Sequence, residues 1–183
     1  MPGRPAVFLD RDGVLIRTRV ADGKPAAITP SDAVVLCDGA EEACATLSRA
    51  GFALVMVTNQ PDVRRGRTTR EFVEATNRAL ALRLGLDDVR VCFHDDGDGC
   101  DCRKPKPGLI LASAAALGID LGASVMVGDR GRDIEAGARS GCRTVLVGAG
   151  FGDSFPFPPD FTAASLRDAV GWICDKGSET AGR

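Results

Sequence analysis

The sequence predicts an α/β fold, a three-layer α/β/α sandwich on a parallel sheet. Three observations carry this. Short apolar runs alternate along the chain with stretches of helical periodicity. The runs lack internal polar alternation, as expected of strands covered on both faces. Several end directly in polar, chemistry-bearing residues, which an open parallel sheet gathers at its carboxyl edge.

The elements follow in order. Residues 6–9 (Ala-Val-Phe-Leu) read as a buried strand ending at Asp10. Residues 17–32, polar and containing Gly23, Pro25 and Pro30, read as a loop. Ala40, Ala43, Cys44 and Leu47 share one helical face, giving a helix over 39–49 stopped by Gly51. Residues 52–57 form the clearest strand and lead into Thr58-Asn59-Gln60. A helix over 69–84 and a strand over 89–93 follow. A Gly/Asp-rich loop then leads to a helix over 107–117, closed by Gly118. A strand over 124–127 ends at Gly128-Asp129, a short helix over 134–140 stops at Gly141, and 144–147 is the fifth strand. Residues 151–161 form a Pro/Phe-rich tail before a last helix over 163–173.

The chain has 183 residues with a formal net charge of −2. That length suits one domain, expected over 1–183. No basic stripe suggests a nucleic-acid partner. No apolar run approaches the ~20 residues of a membrane helix, and the first residues lack a signal-peptide pattern. A cytoplasmic protein, expected to be a monomer, follows.

The polar residues beyond the strands carry the chemistry. Asp10 and Asp12 stand two apart, so an extended backbone points both carboxylates the same way. One could attack phosphorus while the other moves protons; Asp12-Gly13 is also an ordinary turn former. Asp129 could hold a hard cation together with Asp10, and Mg2+ prefers such oxygen ligands. Asp133 is either a further ligand or an acid favoured at a helix N-terminus. Thr58 could donate its hydroxyl to a phosphoryl oxygen, and Asn59 its amide. Lys104, between Arg103 and Pro105, could hold phosphoryl oxygens by charge, or belong to a solvated basic loop.

Cys92, His94, Cys100 and Cys102 form a separate set. Three thiolates and an imidazole complete a tetrahedral Zn2+ site, and a filled inner shell makes the metal structural. Such a metal would order the Gly/Asp-rich loop and carry Arg103 and Lys104 into place. With seven cysteines and no secretion signal, a disulfide framework is not expected.

Asp10-Arg11-Asp12-Gly13, Thr58-Asn59-Gln60, Cys100-Asp101-Cys102-Arg103-Lys104-Pro105 and Gly128-Asp129-Arg130, in this order, resemble the haloacid dehalogenase (HAD) superfamily. Within it they resemble the capless, zinc-containing branch that includes heptose-bisphosphate and histidinol-phosphate phosphatases. The resemblance implies a Rossmann-like fold with an open site. It implies Asp10 as nucleophile, Asp12 as general acid/base, and Thr58 and Lys104 as stabilisers of the transferring phosphoryl group. Mg2+ would be held by Asp10, Asp129 and the Asp12 backbone carbonyl, and Zn2+ by Cys92, His94, Cys100 and Cys102. The substrate is a small phosphorylated metabolite, with Asn59, Gln60, Arg65, Arg103 and Arg130 as candidate contacts. The segment 60–66 and Lys106-Pro107-Gly108 resemble the heptose enzymes, so the expected reaction removes the 7-phosphate of D-glycero-D-manno-heptose 1,7-bisphosphate. The short loop between His94 and Cys100 resembles the histidinol-phosphate enzymes, which makes that activity the alternative. A non-catalytic zinc-stabilised interaction domain conflicts with the intact acidic motifs.

Overall fold

The computed structural model describes residues 3–21, 24–26, 28–150, 153–154 and 156–179. Parts of the expected loop (22, 23, 27) and of the expected tail (151, 152, 155) lie outside the described residues.

Strands β1 (Ala6–Leu9), β4 (Ala53–Asn59), β5 (Asp88–Cys92), β6 (Val125–Gly128), β7 (Arg143–Val147) and β8 (Phe161–Ala163) form one sheet in the order β5-β4-β1-β6-β7-β8. Every pairing in it is parallel. Successive strands step outward from β1 in both directions, so the order reverses there. Ligand sites in open α/β sheets form at such a reversal.

Helices α1 (Ala40–Arg49), α2 (Arg70–Leu84), α3 (Gly108–Leu117), α4 (Gly131–Arg139) and α5 (Leu166–Glu179) cover the sheet. Side chains of a strand alternate between faces, and both faces are apolar here. Val7, Leu9, Leu54 and Met56 pack in one core with Cys44 and Leu47 of α1, Leu80 of α2 and Ile173 of α5. Ala6, Phe8, Val55, Val57 and Met126 pack in a second with Leu109 and Ile110 of α3 and Ala136 of α4. Two cores with the sheet between them give the three layers.

The helix ends follow local chemistry. Thr69 caps α2 by accepting from the Phe72 amide, and Gly85 ends it in the left-handed region. Helix α4 begins three residues before the expected position, because the Asp133 carboxylate accepts from the Arg130 amide and draws the first turn back.

Two expectations are corrected. The stretch 17–32 contains an antiparallel hairpin, β2 (Arg19–Ala21) and β3 (Lys24–Ala26). The region read as tail supplies the sixth strand, β8, and the last helix starts at Leu166. Strand β8 is placed by Asp160, whose carboxylate accepts from the Thr144 amide at 2.7 Å and its hydroxyl at 3.0 Å.

Register sets the site. Leu9 lies level with Met56 on one side and Val127 on the other, so Asp10, Thr58 and Asp129 emerge at the same edge. Asn59 lies level with Cys92, which brings the cysteine-rich loop to that edge too.

Candidate active site

Asp10, Asp129 and Asp133 converge, each offering a carboxylate oxygen within 4.8 Å of the others. Lys104 lies beneath them with its side chain fully buried. Its Nζ is 2.9 Å from Asp10 Oδ1 and 2.6 Å from Asp133 Oδ1, and donates to the Val57 carbonyl at 2.8 Å. The sequence left Lys104 open between a site residue and a solvated loop; the structure buries it among acids.

Three carboxylates against one ammonium leave an excess of negative charge in a buried space. Burial pushes Asp10 from 3.8 up to about 7; Lys104 opposes the rise, while Asp133 and Asp12 add to it. Asp129 rises to about 8 through burial, then through the charges of Asp10 and Asp133. Burial disfavours the Lys104 ammonium, yet Asp10 and Asp133 hold its pKa above the ordinary lysine value. A hard divalent cation fits this all-oxygen donor set and would relieve the repulsion.

Two glycines permit the convergence. Gly13 has φ +87°, and a Cβ there would lie 2.1 Å from Asp129 Oδ2. A Cβ on Gly128 would lie 2.1 Å from that of Asp133. Side chains at these positions would push the acids apart.

Asp12 is held at the cavity wall. Arg11, buried, grips it with Nε at 3.0 Å and a terminal nitrogen at 3.2 Å, and donates to Asn77 on α2 at 3.2 Å. Gln60 donates from Nε2 to Asp12 Oδ2 and to Thr58 Oγ1, both at 2.9 Å. Thr58 Oγ1 thus accepts from Gln60 and keeps its own proton to donate.

Asn59, expected to offer its amide to phosphate, is committed elsewhere. Its Nδ2 donates to the Lys104 carbonyl at 3.0 Å and its Oδ1 accepts from the Lys104 amide at 3.1 Å. It clamps the lysine backbone.

Above the acids opens a cavity of about 520 Å³, lined by Asp10, Asp12, Asn59, Gln60, Lys104 and Asp129 among others. The expected arginines Arg65, Arg103 and Arg130 line it as well. Each is pinned by a carboxylate: Arg65 by Asp95, Arg103 by Asp96 at 2.7 Å, and Arg130 by both oxygens of Asp153 at 2.8 Å. Arg11 and Arg132 also line the cavity, and sequence reasoning gave neither a role. Arg11 carried a signal, being an arginine between two acids; Arg132 lies two residues past the motif that drew attention.

Cys92, His94, Cys100 and Cys102 gather with their ligand atoms within 4.8 Å of one another. Cys92 Sγ lies 3.8 Å from Cys100 Sγ and 3.2 Å from Cys102 Sγ; His94 Nδ1 lies 3.3 Å from Cys102 Sγ. A tetrahedron with sulfur arms of about 2.3 Å has edges of about 3.8 Å, so the donors fit a single zinc-sized ion. Burial and hydrogen bonding to Cys102 push the Cys92 thiol up to about 12, so a bound cation is needed to make it a thiolate.

The chain is similar to known proteins over most of its length. The family model described as HAD-hyrolase-like matches residues 101–169. D-glycero-beta-D-manno-heptose-1,7-bisphosphate 7-phosphatase of Yersinia pestis is 40% identical over 159 residues, covering 80% of this chain and 81% of that protein. The enzyme of the same name from Escherichia coli K12 is 38% identical over 182 residues, covering 92% and 87%. The crystal structure of D,D-heptose 1.7-bisphosphate phosphatase from B. bronchiseptica, complexed with magnesium and phosphate, superposes with a TM-score of 0.78 at 30% identity, covering 94% of this chain and 99% of that one. With this identity over this coverage, and acids meeting at the end of a parallel sheet, the chain belongs to the HAD-like hydrolases, in the branch that these heptose-bisphosphate phosphatases represent.

Proposed function

We propose that the protein is a magnesium-dependent phosphatase that removes the 7-phosphate from D-glycero-D-manno-heptose 1,7-bisphosphate. The observation that carries this reading is the cluster of Asp10, Asp129 and Asp133 around the Lys104 ammonium at the floor of the cavity. The relatives' names supply the sugar.

In this reading an Asp10 oxygen attacks phosphorus, the bond from phosphorus to the sugar oxygen breaks, and Asp12 gives its proton to the departing alkoxide. Water then attacks the aspartyl-phosphate, Asp12 takes the water's proton, and inorganic phosphate leaves with Asp10 restored. Thr58 donates its hydroxyl to a phosphoryl oxygen, and Lys104 keeps Asp10 oriented while balancing charge. Arg11 and Gln60 fix the Asp12 carboxylate toward the cavity. Mg2+, held by Asp10, Asp129 and the Asp12 carbonyl, would supply charge neutralisation between nucleophile and phosphate. Zn2+ on Cys92, His94, Cys100 and Cys102 would order the loop that delivers Arg103 and Lys104.

Among the described residues no helix is long and apolar enough to cross a membrane. We expect a cytoplasmic, monomeric enzyme.

The test is phosphate release from the heptose bisphosphate and from histidinol phosphate, with wild type and Asp10→Asn. Wild type should prefer the bisphosphate, and Asp10→Asn should lose all magnesium-dependent release without a fall in melting temperature. Preference for histidinol phosphate would overturn the substrate, and an active Asp10→Asn would overturn the mechanism.

A further inference from the structure

Asparagine stands where α2 should bury an apolar side chain. The face this helix buries is Val73, Asn77, Leu80 and Leu84, a helical stripe with one amide in it. Asn77 is only 3% exposed. It does not line the catalytic cavity; it borders a separate cavity of about 270 Å³, with Ala81 of α2 and Val89 and Val91 of β5. Asparagine is a weaker helix former than leucine, and a buried amide needs partners that leucine does not. Arg11 Nη1 donates to its Oδ1 at 3.2 Å. Arginine only donates, so the amide must present its oxygen there, and Nδ2 is left buried with no acceptor among the described residues. Such an orphan donor costs stability. Packing therefore disfavours asparagine at 77, and the acceptor for Arg11 is what it adds.

Arg11 uses its other nitrogens on Asp12. Nε donates to Oδ2 at 3.0 Å and Nη2 to Oδ1 at 3.2 Å, so the guanidinium and the carboxylate share a plane. Gln60 reaches one Asp12 oxygen from the end of β4, and a single hydrogen bond leaves that plane free to turn. Arg11 and Asp12 are neighbours in the chain and would turn together. Asn77, on α2, ties the pair to the body of the fold. Because guanidinium is rigid and planar, holding Nη1 fixes the plane in which Asp12 is gripped.

Resting on the phosphatase reading above, we propose that Asn77 is a positioning residue for the general acid: it fixes Arg11, and through Arg11 the direction from which Asp12 hands its proton to the departing alkoxide. An amide suits this place better than a carboxylate, because it accepts from Arg11 without a charge that competes with Asp12. Asn77 touches neither substrate nor reacting atoms, so its loss should weaken proton transfer and leave the attack of Asp10 in place.

The experiment compares p-nitrophenyl phosphate with phenyl phosphate in the presence of MgCl2, reading kcat/KM, which covers the steps up to departure of the leaving group. A good leaving group needs little help from an acid and a poor one much. Asn77→Leu and Asn77→Ala both remove the acceptor, one filling the site and the other emptying it, so an effect common to both belongs to the lost hydrogen bond and not to packing. Both should lose about tenfold or more on phenyl phosphate and about twofold or less on p-nitrophenyl phosphate, since an acid contributes its ~10²–10⁴ only where the leaving group needs it. Asn77→Asp, which keeps an acceptor of the same shape, should recover part of the loss. Equal losses on the two esters, no loss on phenyl phosphate, or a loss in Asn77→Asp as large as in Asn77→Leu overturns the role of Asn77. A wild type that releases no phosphate from either ester overturns the phosphatase reading itself, and this assignment with it.

Discussion

Magnesium binding at the acidic cluster should release protons and tighten as pH rises. An unfolded aspartate loses its proton near 3.8, whereas folded Asp10 keeps it to about 7 and Asp129 to about 8. Between those values the folded state binds more protons than the unfolded one. Without a divalent cation, stability therefore falls as pH rises through this window. The two carboxylates titrate as a pair. One proton held to about 7 instead of 3.8 corresponds to ~4 kcal/mol. A divalent cation binds the deprotonated pair, so below neutrality it must first displace both protons. Calorimetric titration of MgCl2 into zinc-loaded, magnesium-free protein, in two buffers of different ionisation enthalpy, measures the protons released. About two protons should leave near pH 6 and almost none near pH 9, with affinity rising about tenfold or more per pH unit up to pH 7. Affinity that stays flat over this range, with no proton released, refutes the reasoning.

Gly13→Ala puts a Cβ on a residue with φ +87° and 2.1 Å from Asp129 Oδ2. The left-handed backbone alone costs ~1–2 kcal/mol, so denaturant unfolding should shift to lower concentration and magnesium affinity should drop; wild-type affinity would refute the steric account. Elemental analysis of wild type should find one equivalent of zinc per chain, and Cys100→Ser should lose it and lower melting temperature and activity together. Wild-type protein purified without chelators and free of zinc would refute that assignment.

The sheet was legible because its central strands are uninterrupted apolar runs ending in polar residues. Leu9 is followed by Asp10, and Val57 by Thr58, and only a strand buried on both faces needs that pattern. Strand β8 has no such run. Phe161, Thr162 and Ala163 become a strand through the grip of Asp160 on Thr144, sixteen residues earlier, which no local pattern encodes. The hairpin of β2 and β3 is only three residues on each side, too short for a periodicity to show. Which acids meet was legible from strand ends. How the polar neighbours share out their hydrogen bonds was not. Asn59 could face the cavity or the lysine loop, and only the fold, which brings Lys104 against it from 45 residues away, decides.

The cysteine-rich loop and the acidic floor form one mechanical unit. The residues from His94 to Lys106 supply few buried apolar side chains, so hydrophobic packing alone holds this segment weakly. Three polar attachments replace it. Lys106 Nζ donates to the Cys100 carbonyl at 2.7 Å, Arg103 bonds Asp96 and the His94 carbonyl, and Asn59 clamps the Lys104 backbone from β4. The first two lie within the loop and restrain it only if the loop is itself ordered, which the four clustered donors would accomplish by closing on one ion. The third ties the ordered loop to the sheet within reach of Asp10. Lys104 is the last link, since its Nζ reaches the Val57 carbonyl and two carboxylates only when its backbone is fixed at both ends. Freeing the loop would withdraw the ammonium paired with Asp10 and Asp133, so order at the sulfurs would bear on charge balance at the acids.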